Sequence, residues 1–368
     1  MITVCIHERS LPMRKPFRTS QGSIRVRRGW VLVVQDESGN AGYGEASPLP
    51  QFGGEDPLTC REALSVAIDS LPRIAERYLV NDRPHGGLGP LERMLRTAPV
   101  ARSAVEAALL DLMAQRKGIS VAALLAGDGP VAESIPVNAV LGGSDSDELA
   151  EAASRLVATG WRTLKLKVGA NPEHAIEQVK ALREWVGDRI AIRVDANGAW
   201  DHDAAKRFLE GTADSQLEYL EQPLPAEDID GMATLRRMSI TPIAADESVH
   251  DAAAIALIAA KQAADLVIVK PTALGGWKPT QQVCKLAADT GISTVITTFL
   301  DGSIGRAIAT HMAAVLDLGG RAQGLGTGPL LAGDLTDSPI PVRDGALMIP
   351  EAPGLGVGTL LPEVVSET

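Results

Sequence analysis

The stretch TLKLKVG, Thr163 to Gly169, decides how the rest of the chain is read. Strand side chains alternate between faces, so Lys165 and Lys167 project one way and Leu164, Leu166 and Val168 the other. On an exposed sheet edge such lysines discourage unwanted pairing. In a covered, central strand they must face something anionic. The flanking sequence favours the covered strand. From Ile135 onward apolar segments recur as IPVNAVLGG, TLKLKVG, IAIRVDANG, LEYLEQPL, PIAADESV, LVIVKPT, STVITTFLDG and QGLGTG. Between most of them lie Ala-rich helical stretches such as DELAEAASRLVATG, PEHAIEQVKALREWVG and DAAAIALIAAKQAA. Eight strands alternating with helices at about 25 residues per unit predict an α/β fold of the barrel type. An open doubly wound sheet would compete, but no G-x-G-x-x-G follows the first strand.

Charge is placed at the ends of these strands. Lys167, Asp195, Glu221, Asp246 and Lys270 follow successive apolar runs at separations of 28, 26, 25 and 24 residues. In a barrel these ends open on one face, where active sites are built. Asp195, Glu221 and Asp246 from adjacent strands cannot all stay ionised around one point without a cation between them. Oxygen ligands without Cys or His select a hard cation, Mg²⁺ first, with Mn²⁺ as a substitute. Lys165 and Lys167 then face Lys270 across the mouth. A substrate carboxylate held there places its α-carbon between amines. Removing that proton builds negative charge, which a metal and a second cation stabilise. Lys165 lowers the proton affinity of Lys167, making it a usable base. Asn197 either orients a carboxylate or a bound water, or is an Asn-Gly turn residue. Arg193 shares a face with Asp195 one layer deeper and is read as its supporting partner. Glu247 either turns to the other side or bonds a lysine.

The first hundred or so residues differ. GWVLVVQDESGNAGYGEASPLP predicts two strands joined by a turn at Asp36–Gly39, and helices follow from about Pro57 to Leu79 and through ARSAVEAALLDLMAQRKG to Gly118. The Gly/Pro-rich NDRPHGGLGP breaks the helical region between them. Strands followed by helices suggest an α+β unit. The tail from Pro341 has turns and apolar pairs suited to returning to that unit.

Composition narrows the partners. With 45% hydrophobic, 22% charged and 3% aromatic residues, the chain can build a large aliphatic core. A formal net charge of −11 argues against nucleic acid. No window has the roughly 18 apolar residues of a membrane helix, and the N-terminal stretch lacks a signal-peptide pattern. The scattered Cys5, Cys60 and Cys284 read as reduced thiols, giving a cytoplasmic expectation.

The motifs KLK, RVDANGAW, YLEQPL, AADES and VIVKPTALGG, carrying Lys165, Lys167, Asp195, Glu221, Asp246, Glu247 and Lys270, resemble the muconate-lactonising-enzyme subgroup of the enolase superfamily. The resemblance implies a modified (β/α)7β TIM-type barrel over 131–335, an N-terminal α+β capping domain over 1–130, and a C-terminal segment, 336–368, returning to the cap. It also implies that cap loops at Lys15–Ile24 and Ser47–Asp56 help choose a small-molecule carboxylate substrate. Within the subgroup, GEASPLP, TTFLDGSIGRAIATHMAA and GLGTGPLLAGDL are similar to the o-succinylbenzoate synthases of menaquinone biosynthesis. That likeness implies syn-dehydration with Lys167 as base and then acid, and Lys270 as a fixed cation. It further implies backbone donors at Gly302 and Ser303 for a distal carboxylate, with Asp301 standing where many relatives carry Glu. N-acylamino acid racemases, dipeptide epimerases and muconate cycloisomerases use the same kind of site. The eighth strand, RAQGLGTG, lacks the acids that dipeptide epimerases carry. A homo-oligomer is compatible with all these readings.

Overall fold

Three antiparallel strands, Thr3–Thr19 (β1), Gly22–Gln35 (β2) and Ala41–Ala46 (β3), form the first layer in that order. The computed structural model describes residues 1–19, 22–81, 88–142 and 146–365. The expected β2–β3 turn is present: Gly39 N–H donates to Asp36 O at 3.1 Å, and Gly39 adopts a φ of 86°. β1 was not expected from the sequence. Its register slips between Pro12 and Phe17, and it carries charges on both faces, so no clean alternation marks it.

The helix Pro57–Asn81 covers the cap sheet, followed by Pro99–Lys117, which stops at Gly118 in a left-handed conformation with φ 66°. This second helix lies so close to β3 that a Cβ on Gly44 would sit 1.9 Å from Ala104 O. Only glycine allows that approach. The Gly/Pro-rich break before it falls largely on 82–87, outside the described residues.

The remaining strands are Ser134–Pro136 (β4), Ala139–Leu141 (β5), Thr163–Lys167 (β6), Ala191–Asp195 (β7), Tyr219–Glu221 (β8), Ile243–Ala245 (β9), Leu266–Val269 (β10), Ser293–Ile296 (β11), Val342–Arg343 (β12) and Ala346–Met348 (β13). β5 to β11 form one parallel sheet in chain order. Helices follow each strand, several capped as their sequences direct. Asn171, Asp201, Asp228 and Asp251 accept from the amides of His174, Ala204, Gly231 and Ala254. The sheet closes through parallel bridges Thr297↔Gly324 and Val137↔Gln323. Gly324 N–H donates to Ile296 O at 2.8 Å, and Asn138 N–H to Gln323 O at 3.0 Å. The eighth strand is thus reduced to two residues, and the fold is a (β/α)7β barrel beneath an α+β cap.

The segment IPVNAVLGG is divided, contrary to its reading as one strand. β4 turns out of the barrel to pair with β13, while β5 enters it. Val137 and Asn138 lie between them, their amides donating to Gly345 O at 2.8 Å and Gln323 O at 3.0 Å. The tail bridges Thr336 to Leu360 and packs the short helix Pro362–Val365 on β1. Leu164, Leu166, Ile192, Val194, Leu220, Ile243, Val267 and Ile296 are fully buried, each contributing about 1.5–3 kcal/mol of transfer free energy. Among the described residues no helix is long and apolar enough to cross a membrane. The three cysteines are free.

Candidate active site

Strand register brings the charged strand ends side by side. Lys167 lies opposite Asp195, and Asp195 opposite Glu221. Lys165 Nζ donates to Glu221 Oε1 at 2.6 Å and pairs with Asp195 Oδ2 at 2.9 Å. Lys167 Nζ donates to the same Asp195 oxygen at 2.8 Å and to Asn197 Oδ1 at 2.9 Å. From the far side, Lys270 Nζ donates to Asp246 Oδ1.

The loops behind these residues hold them in place. Asn197 and Gln222 follow Asp195 and Glu221 in left-handed conformations, with φ of 47° and 36°, unfavourable for side chains bearing a Cβ. Hydrogen bonds hold both. Asn197 N–H donates to Asp195 Oδ1 at 3.0 Å, and its Nδ2 to Glu247 Oε1 at 3.1 Å. Gln222 Oε1 accepts from the Asp246 amide at 2.8 Å and its Nε2 donates to Leu224 O at 2.9 Å. Asn197 therefore links Lys167, Asp195 and Glu247, and Glu247 bonds an amide where a lysine was one expectation.

The carboxylates are driven apart electrostatically. Burial disfavours ionised Asp195, but Lys165 and Lys167 overcome it and hold the group well below the usual carboxylate range. Burial, reinforced by the charges of Asp195 and Asp246, pushes Glu221 up to about 8 despite Lys165. Burial and the charges of Asp246 and Asp195 push Glu247 up to about 7, against Lys270. Burial works against both charged lysines, yet Asp195 and Glu221 keep Lys165 well above its ordinary value, and Asp246 and Glu247 raise Lys270.

Asp195, Glu221 and Asp246 are not gathered into a closed metal nest among the described residues, because amines lie between them. The donor set still suits a hard cation. It is oxygen-only, and Glu221 Oε2 is buried without a hydrogen-bond partner. A divalent charge there would relieve the repulsion that adds to burial in raising Glu221.

Above these groups opens a pocket lined by Phe17, Leu49, Phe52, Val140 and Phe299. Lys167 Nζ lies 5.1 Å from the Phe17 ring centre and 5.9 Å from that of Phe52; Lys270 Nζ lies 6.0 Å from both Phe52 and Phe299. The chain has four phenylalanines, and three of them roof the amines. Phe17, Leu49 and Phe52 come from the two expected cap loops, whose residues 20 and 21 lie outside the described ones.

Arg193 lies beneath the site, fully buried. It donates to both Glu218 oxygens at 2.8 and 3.2 Å and to Asn138 Oδ1 at 3.0 Å. The seventh-strand expectations need correction. The Gly302 amide donates to Glu45 Oε1 at 2.8 Å and the Ser303 amide to Asp334, so neither is available for a distal carboxylate. Asp301 does not line the pocket; its Oδ2 accepts from the Phe299 amide at 3.1 Å, and the Glu45 and Arg27 charges act on it. Gln222, Asn138 and Phe299 are site residues that sequence reasoning missed, while Phe17 and Phe52 lie in the expected cap loops without having been singled out there. Gln222 adjoins Glu221 inside a quoted motif, which was the available signal.

The N-terminal domain model of mandelate racemase and muconate lactonizing enzyme matches residues 1–126, and the enolase C-terminal domain-like model matches 148–361. The chain belongs to the mandelate racemase/muconate lactonizing enzyme family of the enolase superfamily. Muconate cycloisomerase 1 of Rhodococcus opacus is 31% identical, over 94% of this chain and 92% of that protein. N-succinyl-L-Arg/Lys racemase of Bacillus cereus is 29% identical, over 82% and 81%. A solved dipeptide epimerase from Enterococcus faecalis, complexed with Mg and L-Leu-L-Tyr, superposes with a TM-score of 0.86 at 27% identity, covering 97% of this chain and 99% of that one. The chain is an enzyme of the enolase superfamily whose relatives are cycloisomerases, racemases and epimerases.

Proposed function

We propose that the enzyme interconverts the two configurations of the carbon next to a carboxylate in an N-acylated amino acid with apolar substituents. One observation carries this reading: Lys167 and Lys270, from opposite sides of the barrel, both lie within about 6 Å of the Phe52 ring and so face one small space. An inversion needs a base on one face and an acid on the other. Lys167 takes the α-proton onto Nζ from one side, and Lys270 delivers a proton from the other; the reverse direction exchanges their roles. Lys165, bound to Asp195 and Glu221, remains a fixed cation beside the substrate carboxylate. The aromatic roof excludes water and strengthens these charges. Mg²⁺ held by Asp195, Glu221 and Asp246 would supply positive charge for the developing enediolate.

The pocket also bears on substrate class. Its lining carboxylates among the described residues are Asp195 and Asp246, both paired with lysines, and the closing strand and the turn after it contribute Gly324 and Thr327. A free α-ammonium would find no unpaired carboxylate among the described lining residues, which favours an acylated nitrogen. Phe17, Leu49, Phe52, Val140 and Phe299 suit apolar groups.

Dehydration of the o-succinylbenzoate precursor is the second reading, favoured by GEASPLP and GLGTGPLLAGDL and by the Asp246 contact that keeps Lys270 protonated. The test is a Mg²⁺-dependent panel of N-acyl amino acids, free dipeptides, cis,cis-muconate and that precursor. Turnover is followed by chiral chromatography and by α-hydrogen exchange in D₂O. Racemisation of N-acyl substrates supports the proposal. Turnover confined to any other member overturns it.

A further inference from the structure

Two motifs remain that the proton-transfer site does not use: GEASPLP in the cap and LDGSIG after β11. The structure joins them in one buried cluster. Glu45, on β3, reaches the first turn of the helix Ser303–Val315. Its Oε1 accepts from the Gly302 amide and its Oε2 from the Gly305 amide, each at 2.8 Å. Ser47 Oγ donates to Oε1 at 2.6 Å, and the Arg9 guanidinium pairs with the same oxygen. Arg27 donates to Ser47 O at 2.7 Å and Pro48 O at 3.2 Å, fixing the loop that leads to Leu49 and Phe52. Asp301 lies beside Glu45 and anchors the Phe299 amide. Arg9, Arg27, Glu45 and Asp301 are each at most 4% exposed.

The cluster thus grips both contributors to the roof. Phe52 follows Glu45 by seven residues and Phe299 precedes Gly302 by three. The two loops touch: a Cβ on Gly54 would come 3.1 Å from Phe299 Cε2. Gly305 is also dictated by the clamp, since a Cβ there would lie 2.6 Å from that of Asp301. Two arginines against two acids balance in charge. Removing the Glu45 carboxylate leaves a buried arginine without compensation and the Gly302 and Gly305 amides without an acceptor.

We propose that Glu45 is a positioning residue, holding the cap against the barrel so that Phe52 and Phe299 roof Lys167 and Lys270. The proposal rests on the acid–base reading only for what the roof protects. The roof itself can be tested without a substrate.

The test measures acylation of Lys167 and Lys270 by an amine-reactive reagent, with peptide mass mapping, in the Mg²⁺-loaded protein. Glu45→Gln keeps one oxygen acceptor but puts an N–H₂ where the other helix amide needs an acceptor. Asp334→Asn is the control, because Asp334 accepts from the Ser303 amide of the same helix turn. Glu45→Gln should raise labelling of both lysines at least tenfold over wild type, while Asp334→Asn leaves it within about twofold. Arg27→Gln, cutting the clamp from the cap side, should behave like Glu45→Gln. Unchanged protection in a folded Glu45→Gln protein overturns the proposal. So does equal labelling in the Asp334→Asn control, which would indicate a helix-capping role alone. Failure of both Glu45→Gln and Arg27→Gln to fold would make the cluster a folding element and overturn it as well.

Discussion

Replacing each lysine in turn by methionine separates the two faces of the reaction. Lys167 shares Asp195 Oδ2 with Lys165, so Lys167→Met leaves Asp195 its contact at 2.9 Å and strands mainly Asn197 Oδ1. The stability cost is therefore about 1–2 kcal/mol. The kinetic cost is larger. A positioned acid–base group contributes about 10²–10⁴-fold, or about 3–5 kcal/mol of barrier. Racemisation needs both lysines and should fall by that factor in either variant. Exchange of the α-hydrogen needs one. In D₂O each variant should still wash out the α-hydrogen of one enantiomer and spare the other, with opposite preferences for Lys167→Met and Lys270→Met. Proton NMR on each pure enantiomer reads this directly, with circular dichroism checking the fold. Racemisation by either variant above about a hundredth of the wild-type rate would refute the reasoning, as would loss of exchange from both enantiomers in both variants.

Other expectations can be checked independently. His311 is fully buried; its Nδ1 accepts from the Ala122 amide, so Nε2–H donates to Leu355 O. Burial is the main cause holding it down at about 4. Because the folded value lies below the unfolded one of about 6.5, its contribution is complete above pH 6.5 and is lost toward pH 4. The loss is on the order of 3 kcal/mol in urea titrations and should shrink in His311→Asn. Arg193→Met leaves Glu218 with Arg321 alone at 3.0 Å and should cost about 3 kcal/mol in urea unfolding. Chelation by EDTA should reduce turnover to below about a thousandth, with Mg²⁺ or Mn²⁺ restoring it and raising the melting temperature.

Much of the site could be read along the chain because the barrel repeats. Once Lys167, Asp195, Glu221, Asp246 and Lys270 fall at one strand end each, their convergence follows from topology. The cap gave less away. β1 carries Pro12 and charges on both faces, so it lacks the alternation that marked β2. Phe17 and Phe52 were not singled out within their cap loops, since their role depends on a fold-over of loops far from the lysines in sequence. Gly302 and Ser303 were misread for the same reason: the partner of the Gly302 amide lies 257 residues away. Positive φ at Asn197 and Gln222 carries no signature in residue type beyond a mild tolerance in Asn.

The two-residue seam that completes the barrel has an evolutionary consequence. Gly324 in it and Asn138 and Thr327 beside it line the pocket, so this part of the pocket wall is also the part least committed to the ladder. A Cβ on Gly324 would lie 2.5 Å from Thr297 Oγ1 and Asn138 Oδ1 accepts from Arg193, so change there falls on Thr327, clear of the strands β6 to β10 that carry the acids and amines. A lineage built this way changes its pocket wall while keeping the proposed acid–base pair in place.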